Sequence, residues 1–488
     1  MATRRSDRPL GRIVPGWMTE ENSAAVNWML SGVVWGVVAT SMGLVLALEF
    51  ILPDLFSGVP FLTFSRLRQA HVNGALLAFV STSMIGTWYY IVPELCGRRI
   101  YSEALGNLAM LAWNGAVGVG IAGILLAHTQ SREYAEFIYG VDVAVVSVLV
   151  LNAIVLWITA MNRVEPHLYI SLWYILASAI IFPMVYFIGN VMWNPPTGAI
   201  TGVNDVILNW FLGHNILGMW LTLGGVPLIY YIVPRVTDTP IYSHVLGLIG
   251  FWTIILFYNG IGGHHFEWVP VAPWIKNYAI ASSIGMLIPT VAVLLNIWFT
   301  LRGHWNRVFT SIPLIFVFTG FAAYILVSFQ GTHQALRVFN NLTHFTQYVP
   351  GHAHLGVLMF SAVVVMGTMY YVIPRVCHCE LYSRRMAWVQ FTLLVVGFAA
   401  FFTGFILTGL EQGSAWYNVG INVYTNLVGM RPYLGLRAAG GGVLFSSFVL
   451  FYVNMLLTWV QRRPAETPRL PVSPAVPLPA EVWGGEPS

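Results

Sequence analysis

Six of the thirteen histidines have the residue type and the spacing of buried metal ligands. They lie in or at the ends of long apolar segments and are His71, His214, His264, His265, His352 and His354. An ionisable side chain at membrane depth is costly and normally has a functional partner. Because a neutral imidazole nitrogen is a good ligand for copper, iron and zinc, the set predicts metal binding within a membrane.

The spacing within this set predicts two types of centre. His352 and His354 are two residues apart, which rotates their side chains by about 200° around a helix, so one helix can hold two separate haems. His264 and His265 end another apolar segment, where both imidazoles can turn toward one ion. With His214 they would give three nitrogen ligands and leave a position open for a small gas, as a catalytic copper or non-haem iron site requires.

Membrane-spanning helices must position these side chains. The 488 residues are 57% hydrophobic and only 9% charged. Twelve apolar segments are each long enough, at about 20 residues, to cross the hydrocarbon core. They cover residues 25–50, 71–93, 105–128, 140–161, 168–193, 204–233, 243–263, 275–301, 308–330, 349–373, 387–410 and 434–461. The predicted fold class is therefore all-α, a polytopic membrane protein with twelve transmembrane helices.

An internal repeat groups these helices. Three of them end in a Tyr-Tyr-aliphatic-aliphatic-Pro motif, at residues 89–93, 230–234 and 370–374, and the prolines are 141 and 140 residues apart. Each of the three also carries histidine 20 to 22 residues before its proline. Matching spacing and matching chemistry predict three pseudo-repeats of four helices.

The distribution of basic residues predicts the orientation. Placing the N-terminus inside puts 16 of the 23 Lys and Arg residues in inner segments and 7 in outer ones, as the positive-inside rule requires. Both termini are then cytoplasmic, and all six histidines fall in the outer half of the membrane. Residues 1–24 form a cytoplasmic segment, residues 25–461 the transmembrane domain, and the Pro-rich residues 462–488 a disordered cytoplasmic tail.

The net charge of +4 is spread over the inner loops. No basic cluster supports nucleic-acid binding, so the lipid bilayer is the partner that explains the charge. The three cysteines fall in inner loops, where thiols stay reduced, and no disulfide is expected.

The motifs resemble the catalytic subunit of the haem-copper oxidase superfamily across residues 25–461. The likeness is to the cbb-type cytochrome c oxidases and the related nitric oxide reductases of the prokaryotic cytoplasmic (inner) membrane. The most specific motifs are Gly-His-Asn at 213–215, Gly-His-His at 263–265, Gly-His-Ala-His at 351–354, and Arg437 before three glycines at 440–442.

The resemblance implies a role for each histidine. His71 and His354 would ligate a low-spin haem b, and His352 a high-spin haem of b type. A copper, or alternatively a non-haem iron, would be held by His214, His264 and His265, and Arg437 would contact a haem propionate. Since the chain lacks the cysteine pair followed by histidine that attaches haem c, a membrane-anchored cytochrome c or a copper-containing electron-entry subunit is an expected partner.

Tyr258 favours dioxygen as the substrate. It lies 44 residues after His214 and six before His264, where the oxygen-reducing members of this superfamily have a tyrosine cross-linked to a ligand histidine. A tyrosine beside the metals can supply one electron and one proton for breaking dioxygen, whereas reducing nitric oxide to nitrous oxide needs fewer electrons. The resemblance therefore implies a respiratory terminal oxidase fed by cytochrome c, with proton translocation left open.

Several departures keep a nitric oxide reductase as the alternative. Gln330 stands where the cbb-type pattern has a glutamate, and Gly247 and Gly250 replace a serine and a histidine of the cytoplasmic proton route. Thr222 and Tyr230 of that route remain.

Glu267, two residues after the histidine pair, is an added outer carboxylate. It could deliver protons, as carboxylates do in nitric oxide reductases, or be an ordinary loop residue. A third hypothesis is a transporter with histidines as proton relays or metal ligands. Transporters more often show inverted repeats and broken helices than a threefold repeat of this type.

Overall fold

The computed structural model describes residues 15–130, 132–192, 202–417 and 421–462. The regular elements within these ranges are helical. The first 14 residues and the predicted tail from residue 463 lie outside the described part of the chain.

Twelve helices among the described residues are long and apolar enough to cross a membrane, in the predicted number and order. We number them helix 1 to helix 12: Ser23–Glu49, Phe64–Cys96, Glu103–Leu125, Tyr139–Met161, Ile170–Val191, Val203–Thr237, His244–Phe266, Pro273–Thr300, Ile312–Ala335, Tyr348–Val376, Arg384–Tyr417 and Tyr424–Gln461. Short helices at Gly16–Met18, Pro60–Leu62, Trp305–Thr310 and Arg337–Thr343 lie in the connecting segments.

Some helix ends differ from the prediction for identifiable reasons. Helix 9 begins at Ile312 rather than 308, because the Ser311 hydroxyl caps it by accepting a hydrogen bond from the backbone N–H of Leu314 at 3.4 Å. Helix 2 begins at Phe64 rather than 71. Its first turns carry Arg66 and Arg68, and such polar turns are helical but fail a hydropathy criterion.

The three histidine-bearing central helices form the core of the bundle. In their most apolar windows, helices 2, 6 and 10 are 94%, 94% and 83% buried, whereas the others are 33 to 61% buried. In a membrane the nine peripheral helices would therefore face lipid on one side, while the central three are surrounded by protein.

A polar corner recurs in all three pseudo-repeats. In each, the backbone N–H of a tyrosine donates a hydrogen bond to a threonine hydroxyl, and the serine that follows the tyrosine caps the next helix. The Tyr–Thr pairs are Tyr101–Thr159 at 2.9 Å, Tyr242–Thr300 at 3.0 Å and Tyr382–Thr458 at 3.0 Å. The repeat predicted from the sequence is thus confirmed in the hydrogen bonding.

A second recurring contact is aromatic. An aromatic residue of helices 1, 5 and 9 packs against the first tyrosine of the repeated Tyr-Tyr motif. The ring centroids are 6.4 Å apart for Trp28–Tyr89, 5.9 Å for Tyr174–Tyr230 and 5.2 Å for Phe316–Tyr370. Trp28, Tyr174 and Phe316 therefore occupy equivalent positions in the three repeats.

The central helices share a local irregularity. Each contains a π-helical segment that begins shortly after its last histidine: Gly74–Ser81, Ile216–Thr222 and Leu355–Ala362. Such segments are rare and are frequent at functional sites. Here they widen each central helix in the turns that directly follow its histidines.

Candidate metal centres

His214 of helix 6 and the pair His264 and His265 at the end of helix 7 converge on one point. One ligand atom from each lies within 4.8 Å of the others. The ring centroids are 4.8 Å apart for His214–His264, 4.5 Å for His264–His265 and 5.6 Å for His214–His265. The 3-10 helix Gly262–Phe266 supplies the tight turn that lets two adjacent imidazoles face the same side. The predicted convergence of these three residues is observed.

Neighbouring groups fix the orientation of two of these rings. The Ser283 hydroxyl donates to the carbonyl of Ala279 at 2.7 Å and lies 3.1 Å from Nδ1 of His264, so it accepts a hydrogen bond from that nitrogen. The other nitrogen of His264 is left for a metal, as in known metal sites. The His265 ring stacks on Trp210 at 3.6 Å with an interplanar angle of 8°.

The donor set fits a copper or a non-haem iron. The Nδ1 atoms of His214 and His265 are buried, and neither has a hydrogen-bond partner among the described residues. Buried nitrogens normally have a partner. Three neutral imidazoles around one point, with nitrogens left unsatisfied, are a suitable ligand set for either ion.

Tyr258 of helix 7 packs beside the first of these ligands. Its ring centroid is 5.3 Å from that of His214. A Cβ atom at Gly218 of helix 6 would lie 2.0 Å from Cδ1 of Tyr258. Only glycine at this position leaves room for the tyrosine ring next to the histidine cluster.

His352 of helix 10 lines a cavity of about 130 Å³ together with Tyr258 and the three-histidine cluster. Its Nδ1 atom lies 3.1 Å from Oε1 of Gln330 on helix 9, so the amide oxygen accepts a hydrogen bond and the other ring nitrogen would be available to a haem iron. In the sequence, Gln330 stands out only as a departure from the cbb-type pattern. The structure identifies it as the residue that orients His352.

His71 of helix 2 and His354 of helix 10 face each other, with ring centroids 6.1 Å apart and planes within 19°. Each Nδ1 is hydrogen-bonded to a backbone carbonyl, that of Ala39 at 2.8 Å for His71 and that of Pro350 at 2.7 Å for His354. The remaining nitrogens are left for a metal. The separation leaves room for a metal ion between the two rings, with metal–nitrogen distances of about 2 Å, so this pair could hold a haem iron.

Arg437 of helix 12 lies close to this pair and is only 3% exposed. Its guanidinium group lies over the rings of Phe50 and Phe405, at 4.2 and 4.8 Å from their centroids, and donates to Oε1 of Gln347 at 2.9 Å. Its Nε has no partner among the described residues. A buried cation with an unsatisfied donor fits an anionic haem propionate.

Of the other predicted residues, Thr222 and Tyr230 lie on helix 6 at or near the cavity, whereas Glu267 lies outside it. Thr222 lines the cavity and donates to the carbonyl of Leu217 at 2.9 Å, and Tyr230 lies buried farther along helix 6. Glu267, in contrast, is ion-paired with Arg337 at 3.1 Å and does not line the cavity.

His344 is not among the six histidines that the sequence predicts as metal ligands. It is only 8% exposed, lines the cavity, and lies 5.6 Å from His265 between ring centroids. Burial lowers the pKa of His344 to about 4, so the ring is neutral near pH 7 and adds no positive charge beside the metal ligands. Its position after a short helix outside the spans gave no sequence signal of this contact.

Two histidines lie face to face, a third lies across a cavity from three more, and all six belong to a threefold bundle of twelve helices. This arrangement fits a membrane-bound redox protein whose histidines could hold metal centres. A family model described as "Cytochrome C and Quinol oxidase polypeptide I" matches residues 23–443. The chain belongs to this family of haem-copper oxidase catalytic subunits.

Individual relatives agree with the family. The chain is 28% identical to the cbb3-type cytochrome c oxidase subunit CcoN1 of Stutzerimonas stutzeri, over 89% of this chain and 94% of that one. It is also 28% identical to a cytochrome c oxidase subunit 1 homolog of Agrobacterium tumefaciens, over 88% and 82%.

More distant matches extend the comparison. A nitric oxide reductase subunit of S. stutzeri is 23% identical over 68% of this chain and 71% of that one. In fold, the chain is similar to a heme-copper terminal oxidase dimer solved by cryo-electron microscopy, with a TM-score of 0.76 and 16% identity over 91% of this chain and 85% of that one. The chain is thus an oxidoreductase subunit and a multi-pass protein of a bacterial inner membrane.

Proposed function

We propose that this chain is the catalytic subunit of a respiratory terminal oxidase that reduces dioxygen to water with electrons from cytochrome c. His71 and His354 hold the low-spin haem b, and His352 holds the high-spin haem. The copper is held by His214, His264 and His265. When bound, these groups supply electron transfer and the reduction of dioxygen.

The observation that carries the proposal is Tyr258 at the wall of the cavity, 5.3 Å from His214 between ring centroids. Breaking the bond of dioxygen requires electrons and a proton at the same moment, and a phenol in van der Waals range of the ligands can provide one of each. Gly218 supports this role because its missing side chain reserves the space that the phenol occupies.

A few further residues would orient the metal-binding histidines, neutralise a propionate or move protons. Gln330 and Ser283 hold the rings of His352 and His264 in orientation through Nδ1. Arg437 would neutralise a propionate. Thr222 lies on the same cavity wall as Tyr258, so its hydroxyl can return a proton to the phenol from the direction of Tyr230.

Nitric oxide reduction is the competing function, because one relative is a nitric oxide reductase. The residues that line the cavity in the described part of the chain include no carboxylate. Glu267, the carboxylate nearest in sequence to the histidine pair, is ion-paired with Arg337. A cavity without carboxylates is a poor match to a non-haem iron site served by glutamates and supports copper and dioxygen.

Electrons must enter through another polypeptide. The chain has three cysteines, none of them arranged to attach a haem c. We therefore propose a membrane-anchored cytochrome c or copper-containing subunit as the partner. With both termini cytoplasmic, as the 16 to 7 distribution of basic residues favours, the histidine layer lies in the outer half of the membrane, close to such a donor.

The test starts from an anaerobic solution of the purified complex with reduced cytochrome c, to which dioxygen or nitric oxide is added in separate turnover experiments, together with iron and copper analysis. We expect two haem irons and one copper per chain and rapid dioxygen consumption. A third iron in place of copper, with nitrous oxide as the product and little dioxygen consumed, would contradict the proposal.

A further inference from the structure

The first tyrosines of the three repeated motifs differ in what their hydroxyls contact. Tyr89 donates to Oδ1 of Asn152 at 2.8 Å, and Tyr370 donates to Oε1 of Gln390 at 2.8 Å. The hydroxyl of Tyr230 is buried beside Asn296 but makes no close, well-aligned hydrogen bond with a described residue. Since buried polar groups are normally satisfied, the middle repeat holds this hydroxyl less tightly than the other two repeats, where it joins helices.

A second buried hydroxyl in the same region is also loosely held. Tyr324 of helix 9 is 2% exposed, and its OH lies beside Thr290 and Ser328 without a close, well-aligned hydrogen bond. It lines the cavity that contains Tyr258 and Thr222 and is close to Tyr230. The two hydroxyls thus lie between the cavity and the end of the bundle opposite the histidines.

One face of helix 7 carries no polar side chain between Ser243 and Tyr258, since Thr253 lies on another face. Ser243, Gly247, Gly250, Ile254 and Tyr258 follow one another at intervals of three or four residues, which places them on one face of the helix. Ser243 caps the cytoplasmic end of the helix, and Tyr258 lies about 22 Å farther along, at 1.5 Å per residue. Gly247 and Gly250 are buried, so the face between these ends lacks any hydroxyl of its own.

Tyr174 of helix 5 places a hydroxyl group against this face of helix 7, beside Gly247 and Gly250. Its hydroxyl donates to the carbonyl of Gly247 at 3.3 Å, and a Cβ atom at Gly250 would lie 2.8 Å from its oxygen. The Tyr174 hydroxyl therefore stands where a side chain of residue 250 would begin. Its ring centroid is 5.9 Å from that of Tyr230.

The ring and the hydroxyl of Tyr174 have separable roles. Trp28 and Phe316 at the equivalent positions pack against the corresponding tyrosines, so an aromatic ring here is a structural requirement of every repeat. Trp28 also donates from Nε1 to the carbonyl of Gly106 at 3.0 Å, the counterpart of the Tyr174–Gly247 contact. Phe316 has no donor, which shows that the packing does not depend on one.

We propose that the Tyr174 hydroxyl is part of the hydrogen-bonded route that carries protons from the cytoplasmic side past Tyr230 and Tyr324 to Tyr258. The inference rests on the proposed function, because only an enzyme that consumes protons at the cavity needs such a route. The hydroxyl oxygen accepts a proton from the cytoplasmic side while its own proton passes toward Tyr230 or Tyr324, so the phenol ends unchanged. Tyr174 is a positioning residue that bridges the glycine gap in helix 7.

The first test is Tyr174→Phe in the complete complex, reconstituted in liposomes. Phe316 shows that phenylalanine is accepted at this position, so we expect unchanged haem spectra. Proton uptake from the cytoplasmic side during turnover should slow on the order of tenfold or more, as for loss of a proton-transferring group. The matched control is Tyr89→Phe, which removes an equally buried hydroxyl from the first repeat and should leave proton uptake unchanged.

The second test moves the hydroxyl from helix 5 to helix 7. In Tyr174→Phe combined with Gly250→Ser, the space vacated by the phenol oxygen receives the serine side chain. We expect this double variant to recover most of the cytoplasmic proton uptake, which a merely structural role for Tyr174 would not predict.

The outcomes separate this inference from the proposed function. Dioxygen consumption by the unaltered complex decides the function. The proposed role of Tyr174 is wrong if the complex reduces dioxygen but Tyr174→Phe takes up cytoplasmic protons as fast as the unaltered protein. It is also wrong if adding Gly250→Ser to Tyr174→Phe does not restore proton uptake. If the unaltered complex takes no protons from the cytoplasmic side with either gas, the route itself is wrong.

Discussion

In four of the six candidate ligand histidines, a hydrogen bond at Nδ1 decides which ring nitrogen is left for a metal. His71 and His354 bond to backbone carbonyls, His264 to a serine, and His352 to the side chain of Gln330. A backbone carbonyl is present whatever the residue type, whereas a side-chain partner can be changed by substitution. Gln330 is therefore the residue through which this chain could adjust the electronic properties of the proposed high-spin haem.

Replacing Gln330 by glutamate should lower the reduction potential of the high-spin haem. A carboxylate accepts a stronger, charge-assisted hydrogen bond from Nδ1 of His352, which makes the imidazole more electron-donating and stabilises oxidised iron. Redox titration of the haem absorbance measures the change, and the low-spin haem serves as the internal control. An unchanged or raised potential would show that the contact at 3.1 Å does not tune the iron.

The candidate ligand histidines could be predicted from the sequence because their type and spacing stand out, as with the two histidines at 352 and 354, and the structure brings them together. Their hydrogen-bonding and stacking partners could not be predicted. Gln330 meets His352, Trp210 meets His265 and Ser283 meets His264 only through the packing of different helices. No spacing rule along one helix relates such pairs, and for the same reason His344 gave no signal.

At the scale of the helix, one glycine controls how closely helices 6 and 7 approach. A methyl group at Gly218 would lie 2.0 Å from the ring of Tyr258, which is far inside van der Waals contact. We expect Gly218→Ala to displace Tyr258 from His214 and to reduce dioxygen turnover by roughly 100-fold, the scale of losing a group that takes part in proton transfer. The optical spectrum of the low-spin haem should be preserved.

The control for this substitution is Gly115→Ala. Gly115 lies on helix 3, and a Cβ atom there would meet nothing within 4 Å. It tests whether an added methyl group on a membrane helix is harmful in itself. Full dioxygen turnover by Gly218→Ala, with Tyr258 still required, would contradict the close approach of the two helices.

Helix number and the threefold repeat were predictable, because apolar length and recurrent motifs are properties of single segments. The π-helical segments after the histidines of helices 2, 6 and 10 were not. A further π-helical segment, Phe187–Val191, lies in the peripheral helix 5, and residue propensity along one segment does not predict where such segments form. The same holds for the polar first turns of helix 2.

At the scale of the whole molecule, the positive-inside rule predicts which loops face the cytoplasm. Val338, in the segment after helix 9, is 86% exposed, and Phe309, in the segment before it, is 64% exposed. In intact cells stripped of the outer envelope, Val338→Cys should react with a membrane-impermeant thiol reagent. Phe309→Cys should react only after the membrane is permeabilised.

The chain's own thiols set the background for that experiment. Cys96 and Cys379 are buried and Cys377 is partly buried, and burial raises the pKa of Cys377 to about 11, which disfavours the reactive thiolate. Labelling of the parent chain should therefore be weak from either side. The opposite pattern of labelling at residues 338 and 309 would invert the proposed orientation and place the histidine layer in the cytoplasmic half.

The threefold bundle brings the six candidate ligand histidines together, and Tyr258 is the cavity residue on which the proposed reduction of dioxygen depends most directly. The most direct measurement is therefore steady-state turnover of Tyr258→Phe beside the unaltered complex and Tyr89→Phe, with dioxygen and nitric oxide supplied separately. We predict that Tyr258→Phe loses dioxygen reduction by roughly 100-fold or more while haem and copper contents remain intact and Tyr89→Phe is unaffected. Dioxygen turnover by Tyr258→Phe equal to that of the unaltered complex, or nitrous oxide formation as the main activity of the unaltered complex, would contradict the account.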